Sequence, residues 1–374
     1  MKRVGVIGGG QLAWMMGGAA KTLGIELVVQ TPSLTDPAVR VAASTVLGAI
    51  ADATATATLA QQCDVITFEN EFVDLEALAK LADQGVQFYP RLEAIAPILD
   101  KFHQRSFYQR IGVPTPNFLA WEAGTPNPFG FPVVLKARRH GYDGYGTFIC
   151  QNAAELEAAS QNSEQRWLLE QFVPFERELA VIAARSPAGE MVIYPVVESI
   201  QGEGQVCRQV YVTGEFDGEV SQQVEAIARN LLTALDYVGV LGIELFLTPT
   251  GQVLVNEIAP RTHNTGHYTL DACVTSQFEQ QLRAVCGMPL GSPALTCAGA
   301  VMVNLLGFES SESDYAEKRQ QLATLPNAHV YWYGKTQTRP GRKVGHVTVT
   351  LQPGANRTTA EQFAQWIESI WYPS

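Results

Sequence analysis

The chain has 374 residues, 46% of them hydrophobic and 17% charged, which suits two or three domains with large buried cores. A formal net charge of −11 argues against nucleic acid or an anionic membrane as the main partner. The six cysteines form no Cys-x-x-Cys, so neither a zinc pattern nor a disulfide framework is present and reduced cytosolic thiols are expected.

The N-terminus, MKRVGVIGGG, reaches glycine too soon for a signal peptide. Residues 3–7 read as a strand, 12–23 as a helix and 26–30 as a second strand. The turn Gly8-Gly9-Gly10-Gln11-Leu12 puts backbone N–H groups at a helix N-terminus, where an anion can sit. It also looks like a dinucleotide fingerprint, but the second strand ends Gln30-Thr31-Pro32, without the acid that would hold a ribose. Residues 49–60 read as a loop and a helix start. DVITFENE, residues 64–71, reads as a strand ending in Glu69 and Glu71, at the edge where open α/β sheets bind ligands. The alternative is an acidic strand end in solvent. A helix over 75–84 and a strand over 86–89 complete an open parallel sheet.

A helix over 100–111 leads into IGVPTP, and a strand over 131–136 ends in Lys136. The following stretch, Arg138 to Gly146, holds three glycines in six residues, a loop whose backbone can approach phosphates. An ordinary hairpin is the alternative. A helix over 153–160 and strands over 167–172, 178–184, 194–197 and 206–212 come next. An amphipathic helix over 220–235 then puts Val224, Ile227, Ala228, Leu231 and Leu235 on one face.

Residues 240–247 and 253–258 read as strands joined by a turn at Pro249-Thr250-Gly251. Each strand carries one acid, Glu244 and Glu257, which can face one another across the hairpin. Carboxylate oxygens suit magnesium, and unpaired carboxylates are costly inside apolar strands. Two exposed acids on a plain hairpin is the alternative. Asn256 adds a neutral oxygen, Pro260 ends the strand, and Arg261 and His263 follow as an anion clamp. A helix over 277–285 precedes a boundary in the loop holding Pro289 and Pro293. The uncharged stretch 287–308 is interrupted by both prolines and Asn304, and its apolar part is too short to cross a bilayer. Strands over 300–306 and 330–333 lead to KTQTRPGRKVGH. There Pro340-Gly341 forces a turn that focuses Arg339, Arg342 and Lys343; a solvated basic loop is the alternative. A strand over 347–351 and a helix over 361–369 end the chain.

The order Glu244, Asn256-Glu257, Pro260-Arg261 resembles the magnesium hairpin of the ATP-grasp ligases. GGGQL, TFENE, GYDGYG, NEIAPRTHNTGH and WYGKTQTRPGRKVGH, in that order over nearly the whole chain, resemble the N5-carboxyaminoimidazole ribonucleotide synthetases of purine biosynthesis. The resemblance implies a mixed α/β and α+β fold. Its parts would be a Rossmann-like domain over 1–99, an ATP-grasp domain over 100–290 and a small β-rich domain over 291–374. It implies a cytoplasmic, homodimeric carbon–nitrogen ligase. Such an enzyme joins bicarbonate to the amine of 5-aminoimidazole ribonucleotide, using ATP and two magnesium ions, by way of carboxyphosphate. Neither nucleic acid nor membrane is an expected partner.

Carried over residue by residue, the resemblance assigns ATP to Lys101, Lys136, Gly141, Tyr142, Asp143, Gly144, Tyr145, Gly146 and Thr147. The hinge Glu170, Gln171, Phe172 and Val173 would read the base, Glu178 would hold the ribose, and Asn256 and Glu257 would complete the nucleotide site. Magnesium falls to Glu244 and Glu257. The ribonucleotide falls to Gly10, Gln11, Glu69, Tyr142, Asp143, Asn304, Lys335, Arg342 and Lys343. Arg261, His263, Lys335 and Arg342 are the catalytic set. The chain departs from the family at Tyr145 and Lys101, where arginine is usual, and at Arg105, where lysine is usual. Another ATP-grasp carboxylate–amine ligase would lack the basic C-terminal loop. A nicotinamide dehydrogenase would use the first glycine turn. A nucleotide-binding module without catalysis would not need both acids.

Overall fold

Short apolar runs bounded by turn residues pair into a parallel sheet at the N-terminus. The computed structural model describes residues 1–373 except 123, 140, 142–144, 162–164, 215 and 217. Strands β1 (Lys2–Ile7), β2 (Ile25–Thr31), β3 (Ser44–Leu47) and β4 (Val65–Phe68) lie in the order β3-β2-β1-β4. The side chains of β1, β2 and β4 are buried on both faces, as parallel strands require, whereas β3 at the edge buries only Val46. The helix Gln11–Leu23 ends at Gly24, whose φ of +66° makes the left-handed cap that glycine adopts without strain. The strand expected over 86–89 shrinks to one bridge, Phe88 to Ile66. Pro90 follows at once and has no N–H for a further ladder bond.

A second, antiparallel sheet holds β5 (Phe118–Trp121), β6 (Val133–Ala137), β7 (Thr147–Cys150) and β8 (Trp167–Gln171) in the order β5-β8-β6-β7. The third sheet has nine strands. Its path contains β9 (Arg177–Arg185), β11 (Val197–Gln201), β12 (Cys207–Val212), β13 (Gly239–Leu247), β14 (Val253–Ala259), β15 (Gly299–Leu306), β16 (Ala328–Trp332) and β17 (Lys343–Leu351). The order is β14-β13-β9-β11-β12-β15-β17-β16, with β10 (Met191–Ile193) on the side of β9. The strand expected over 194–197 is absent: β10 ends at Ile193, Pro195 has no N–H for a ladder bond, and β11 begins at Val197. The C-terminal strands therefore extend the central sheet rather than forming a sheet of their own. The uncharged stretch that ends at Phe308 supplies β15. It is apolar because Val301, Val303 and Leu305 enter one core while Ala300 and Met302 enter another.

Helices lock these layers. Gly218–Ala234 packs Val224, Ile227, Ala228 and Leu231 against Val181, Leu241 and Ile243 of the large sheet. Gln277–Val285 sends Phe278, Leu282 and Val285 into the core of the first sheet, beside Leu12 and Met16. Ala316–Ala323 was not expected, and only Leu322 of it is buried, so its apolar periodicity is weak. The final helix starts at Arg357 rather than 361, because Asn356 and Thr359 form a reciprocal capping box there. That helix ends in Trp371, which is fully buried and donates its indole N–H to Leu306 O at 2.8 Å. Trp371→Ala is expected to cost about 3–5 kcal/mol through cavity formation and the loss of that bond. Denaturant unfolding of the two proteins checks this; a midpoint shift too small to measure would show that the helix end contributes little.

Candidate active site

The hairpin β13–β14 is the centre of the site. Its register sets Glu244 directly opposite Glu257, and a bulge follows at once between Glu244 and Leu245. Both acids and Asn256 line a cleft of about 1090 Å³ that residues from every part of the chain help to form. Burial and the neighbouring Glu257 carboxylate push the Glu244 carboxyl up from its usual range. Burial would raise Glu257 as well, but Lys101, Lys136 and Arg105 together outweigh it and hold Glu257 down. Lys101 forms an ion pair with Glu257. Two carboxylates and an amide oxygen are hard donors crowded with like charge, so this set fits magnesium that keeps waters and takes phosphate oxygens. Among the described residues there is no group of three or more His, Cys, Asp or Glu side chains that could hold a metal alone.

Beneath the hairpin lies a buried charge network. Glu170 on β8 receives Arg105 on one oxygen and Lys136 on the other, the latter at 2.7 Å. Lys136 Nζ also donates to Asn256 Oδ1 at 3.0 Å. Burial opposes all three charges. It lowers Lys136 despite the attraction of Glu170. For Glu170 the charges of Arg105 and Lys136 win over burial and bring it to about 2. Asp100 supports the network from the side. It caps the helix Lys101–Arg110 by accepting from Phe102 N at 2.9 Å, and it holds the Arg138 guanidinium at 2.9 Å.

The first glycine turn is capped from within. Glu69 Oε2 accepts from Gly10 N at 3.1 Å and Oε1 accepts from Leu12 N at 3.3 Å. A side chain on Gly10 would place its Cβ 2.3 Å from Glu69 Oε1. The carboxylate thus stands where a dinucleotide pyrophosphate would sit, which removes the dehydrogenase alternative. Burial pushes Glu69 up to about 7, against the pull of Gly10 N–H and Arg261. The other acid of that strand end, Glu71, takes Arg261 in a two-pronged pair at 2.7 and 3.2 Å.

Most of the expected residues meet in the cleft. Gln11, Glu69, Lys101, Lys136, Gly141 and Thr147 line it, as do Glu170, Gln171, Phe172, Val173 and Glu178. Arg261, His263 and Lys343 complete the set. His263 Nε2 lies 3.4 Å from Glu244 Oε1. Gly146 takes a φ of +76° and leaves no room for a side chain against Ala137, whereas Tyr145 is 72% exposed. Tyr142, Asp143 and Gly144 lie outside the described residues. Asn304 is fully buried, and it exchanges amide bonds with Asn264 at 2.7 and 2.9 Å. Asn264 is the one that lines the cleft. Lys335 and Arg342 turn to main-chain oxygens, of Lys343 and Gln337, each at 2.7 Å. Asn264 and Phe246 were not among the expected site residues, and Arg105 and Glu71 were singled out in the sequence without a role. Phe246 faces Glu178 across the ladder and stacks on Phe175 at 4.7 Å. An apolar ring in a strand carries no signal of its own.

Fold and cleft together define an ATP-grasp protein. An ATP-grasp domain model matches residues 106–278, a ribonucleotide synthetase preATP-grasp model 1–98, and a phosphoribosylaminoimidazole carboxylase C-terminal model 300–359. An N5-carboxyaminoimidazole ribonucleotide synthase from Synechococcus elongatus is 57% identical over 99% of this chain and 96% of its own. One from Bacillus subtilis is 38% identical over 98% and 95%. The crystal structure of the Thermotoga maritima synthetase superposes with a TM-score of 0.88 at 38% identity, covering 99% of this chain and 98% of that one. The Aspergillus clavatus enzyme, solved with ADP and 5-aminoimidazole ribonucleotide, gives 0.90 at 31% identity, with coverage of 99% and 98%. The chain belongs to the N5-carboxyaminoimidazole ribonucleotide synthase family.

The charge network predicts an acid limit to stability. Glu170 is held at about 2 in the fold against a usual 4.5. A depressed carboxylate stabilises above its unfolded pKa and loses that contribution as pH falls through the folded value. The stability gap between wild type and Glu170→Gln should be full at neutral pH and close between pH 4.5 and 2. Unfolding curves that stay parallel across that range would rule out the charged form of Glu170.

Proposed function

We propose that this chain carboxylates the exocyclic amine of 5-aminoimidazole ribonucleotide with bicarbonate and ATP. The products are N5-carboxyaminoimidazole ribonucleotide, ADP and phosphate, in purine biosynthesis. One observation carries the chemistry: the facing pair Glu244 and Glu257, with Arg261 and His263 beside them, in a cleft also lined by Gln11 and Glu69, from the segments that follow β1 and β4, and by Lys343 of β17. The reading divides the chain at about residues 99 and 290, and it includes a cytoplasmic homodimer. No described helix is long and apolar enough to cross a membrane.

Phosphoryl transfer needs positioning and charge neutralisation more than covalent help. Lys136 and Lys101 meet the ATP phosphates, the 170–173 hinge reads the base, and Glu178 holds the ribose. Magnesium, bound by Glu244 and Glu257 with Asn256 alongside, would neutralise the phosphate oxygens. Arg261 and His263 hold bicarbonate. Its oxygen bonds to the γ-phosphorus as the bond to the β–γ bridging oxygen breaks, which gives carboxyphosphate and ADP. The amine then bonds to the carboxyl carbon, phosphate leaves, and the amine gives up a proton. Lys335, Arg342 and Lys343 grip the ribonucleotide phosphate, with Glu69 and Gln11 at its other end. Asn304 serves by holding Asn264.

Oxygen-18 bicarbonate tests the reaction. Phosphate formed at short times with ATP and ribonucleotide should carry one labelled oxygen by mass spectrometry. Unlabelled phosphate, formed while the bicarbonate pool is still labelled, would exclude carboxyphosphate. Glu257→Gln should abolish turnover in a protein that stays folded, because it removes several kcal/mol of transition-state charge stabilisation. Near-normal activity of that variant in limiting magnesium would remove Glu257 from the metal site.

A further inference from the structure

Gln277 opens the helix Gln277–Val285, and its side chain is fully buried. Its Oε1 accepts from the backbone N–H of His263 at 2.9 Å, while its Nε2 donates to the backbone C=O of the same residue at 2.7 Å. The amide orientation is fixed, since a backbone N–H only donates and a carbonyl only accepts. Nε2 also lies 3.4 Å from Nδ1 of His267. Burial first, and His346 next, keep that imidazole neutral, so its Nδ1 can accept.

Two glycines make room for this arrangement. A Cβ on Gly266 would fall 2.7 Å from the Gln277 amide carbon, and a Cβ on Gly242 of β13 would fall 2.6 Å from the Cβ of His263. The His263 segment is therefore pressed between the sheet on one side and the Gln277 amide on the other. The same helix buries Phe278 and Leu282 in the core of the first sheet. The placement of Gln277 is thus set by the part of the chain that carries Glu69.

We infer that Gln277 is a positioning residue: its amide grips both polar backbone groups of His263 and fixes the imidazole beside Glu244 for the carboxylation step. The inference rests on His263 holding bicarbonate. Its test compares kcat and the KM of each substrate in Gln277→Met, His263→Ala and the double variant. Gln277→Met should lower kcat about 10- to 100-fold, the scale of a small misplacement at a reacting centre. Its KM for ATP should stay within about twofold of wild type, since the nucleotide residues are untouched. The double variant should be no slower than His263→Ala alone, because both act through one group.

Losses that multiply in the double variant, or an ATP KM that rises in step with the fall in kcat, would overturn the inference and leave Gln277 a packing residue. His263→Ala turning over at the wild-type rate would instead overturn the bicarbonate reading of His263. Thermal melts report whether each variant folds. If Gln277→Met does not, Gln277→Glu keeps the size and the acceptor for His263 N–H but loses the donor to its carbonyl. The same comparisons then apply to it.

Discussion

Glu244 and Glu257 face one another within one hairpin, where burial and the Glu257 charge push the Glu244 carboxyl up because a low-dielectric cleft magnifies the repulsion between two charged carboxylates. The surrounding basic groups are arranged around that fact. Lys101 reaches Glu257 from one helix, and Lys136 reaches Asn256 from a strand of another sheet. Glu170 in turn pairs with both Lys136 and Arg105 in the interior, so neither buried cation lacks a carboxylate partner. Remove the hairpin acids and these cations lose the reason for their placement; remove Glu170 and two cations are stranded in the interior.

The three segments of the chain are tied by charge and amide pairs as much as by apolar packing. Glu71 from the first segment takes Arg261 from the hairpin's exit. Asn304 of β15 takes Asn264. Tyr333, near the basic loop, is buried in the core of the first sheet and bonds His346 at 2.9 Å. Each tie ends within a few residues of a group that faces the cleft. Relative motion of the segments would therefore register directly in the site.

The hairpin was legible in the sequence because acids interrupt apolar strands and a Pro-Thr-Gly turn fixes which strands pair. The glycine turn was legible as a helix start, but its internal cap was not, since Glu69 lies 59 residues from Gly10. Arg105 with Glu170, and Arg261 with Glu71, are separated by 65 and 190 residues. Such pairs exist only once sheets have met, and no local pattern announces them. The partner of Asn304 was hidden for a related reason. A polar residue in a buried strand has to find a partner, and the partner is another asparagine, 40 residues away in the chain. The helix Ala316–Ala323 escaped notice because it shows one buried residue where amphipathic helices show three or four.

The continuous large sheet has a geometric consequence. Glu244 on β13 and Lys343 on β17 are five strands apart in the sheet order. At about 4.8 Å per strand, a flat ribbon would hold them about 24 Å apart. Yet both line one cleft, and Lys343 is close enough to draw the Glu244 carboxyl downward. The ribbon must therefore curl, as twisted strands do when their rotations accumulate. The span between the acid pair and the basic loop is then a property of strand number and twist. The molecule gauges the length of what it binds with its own backbone, and a strand gained or lost from the path would reset that gauge.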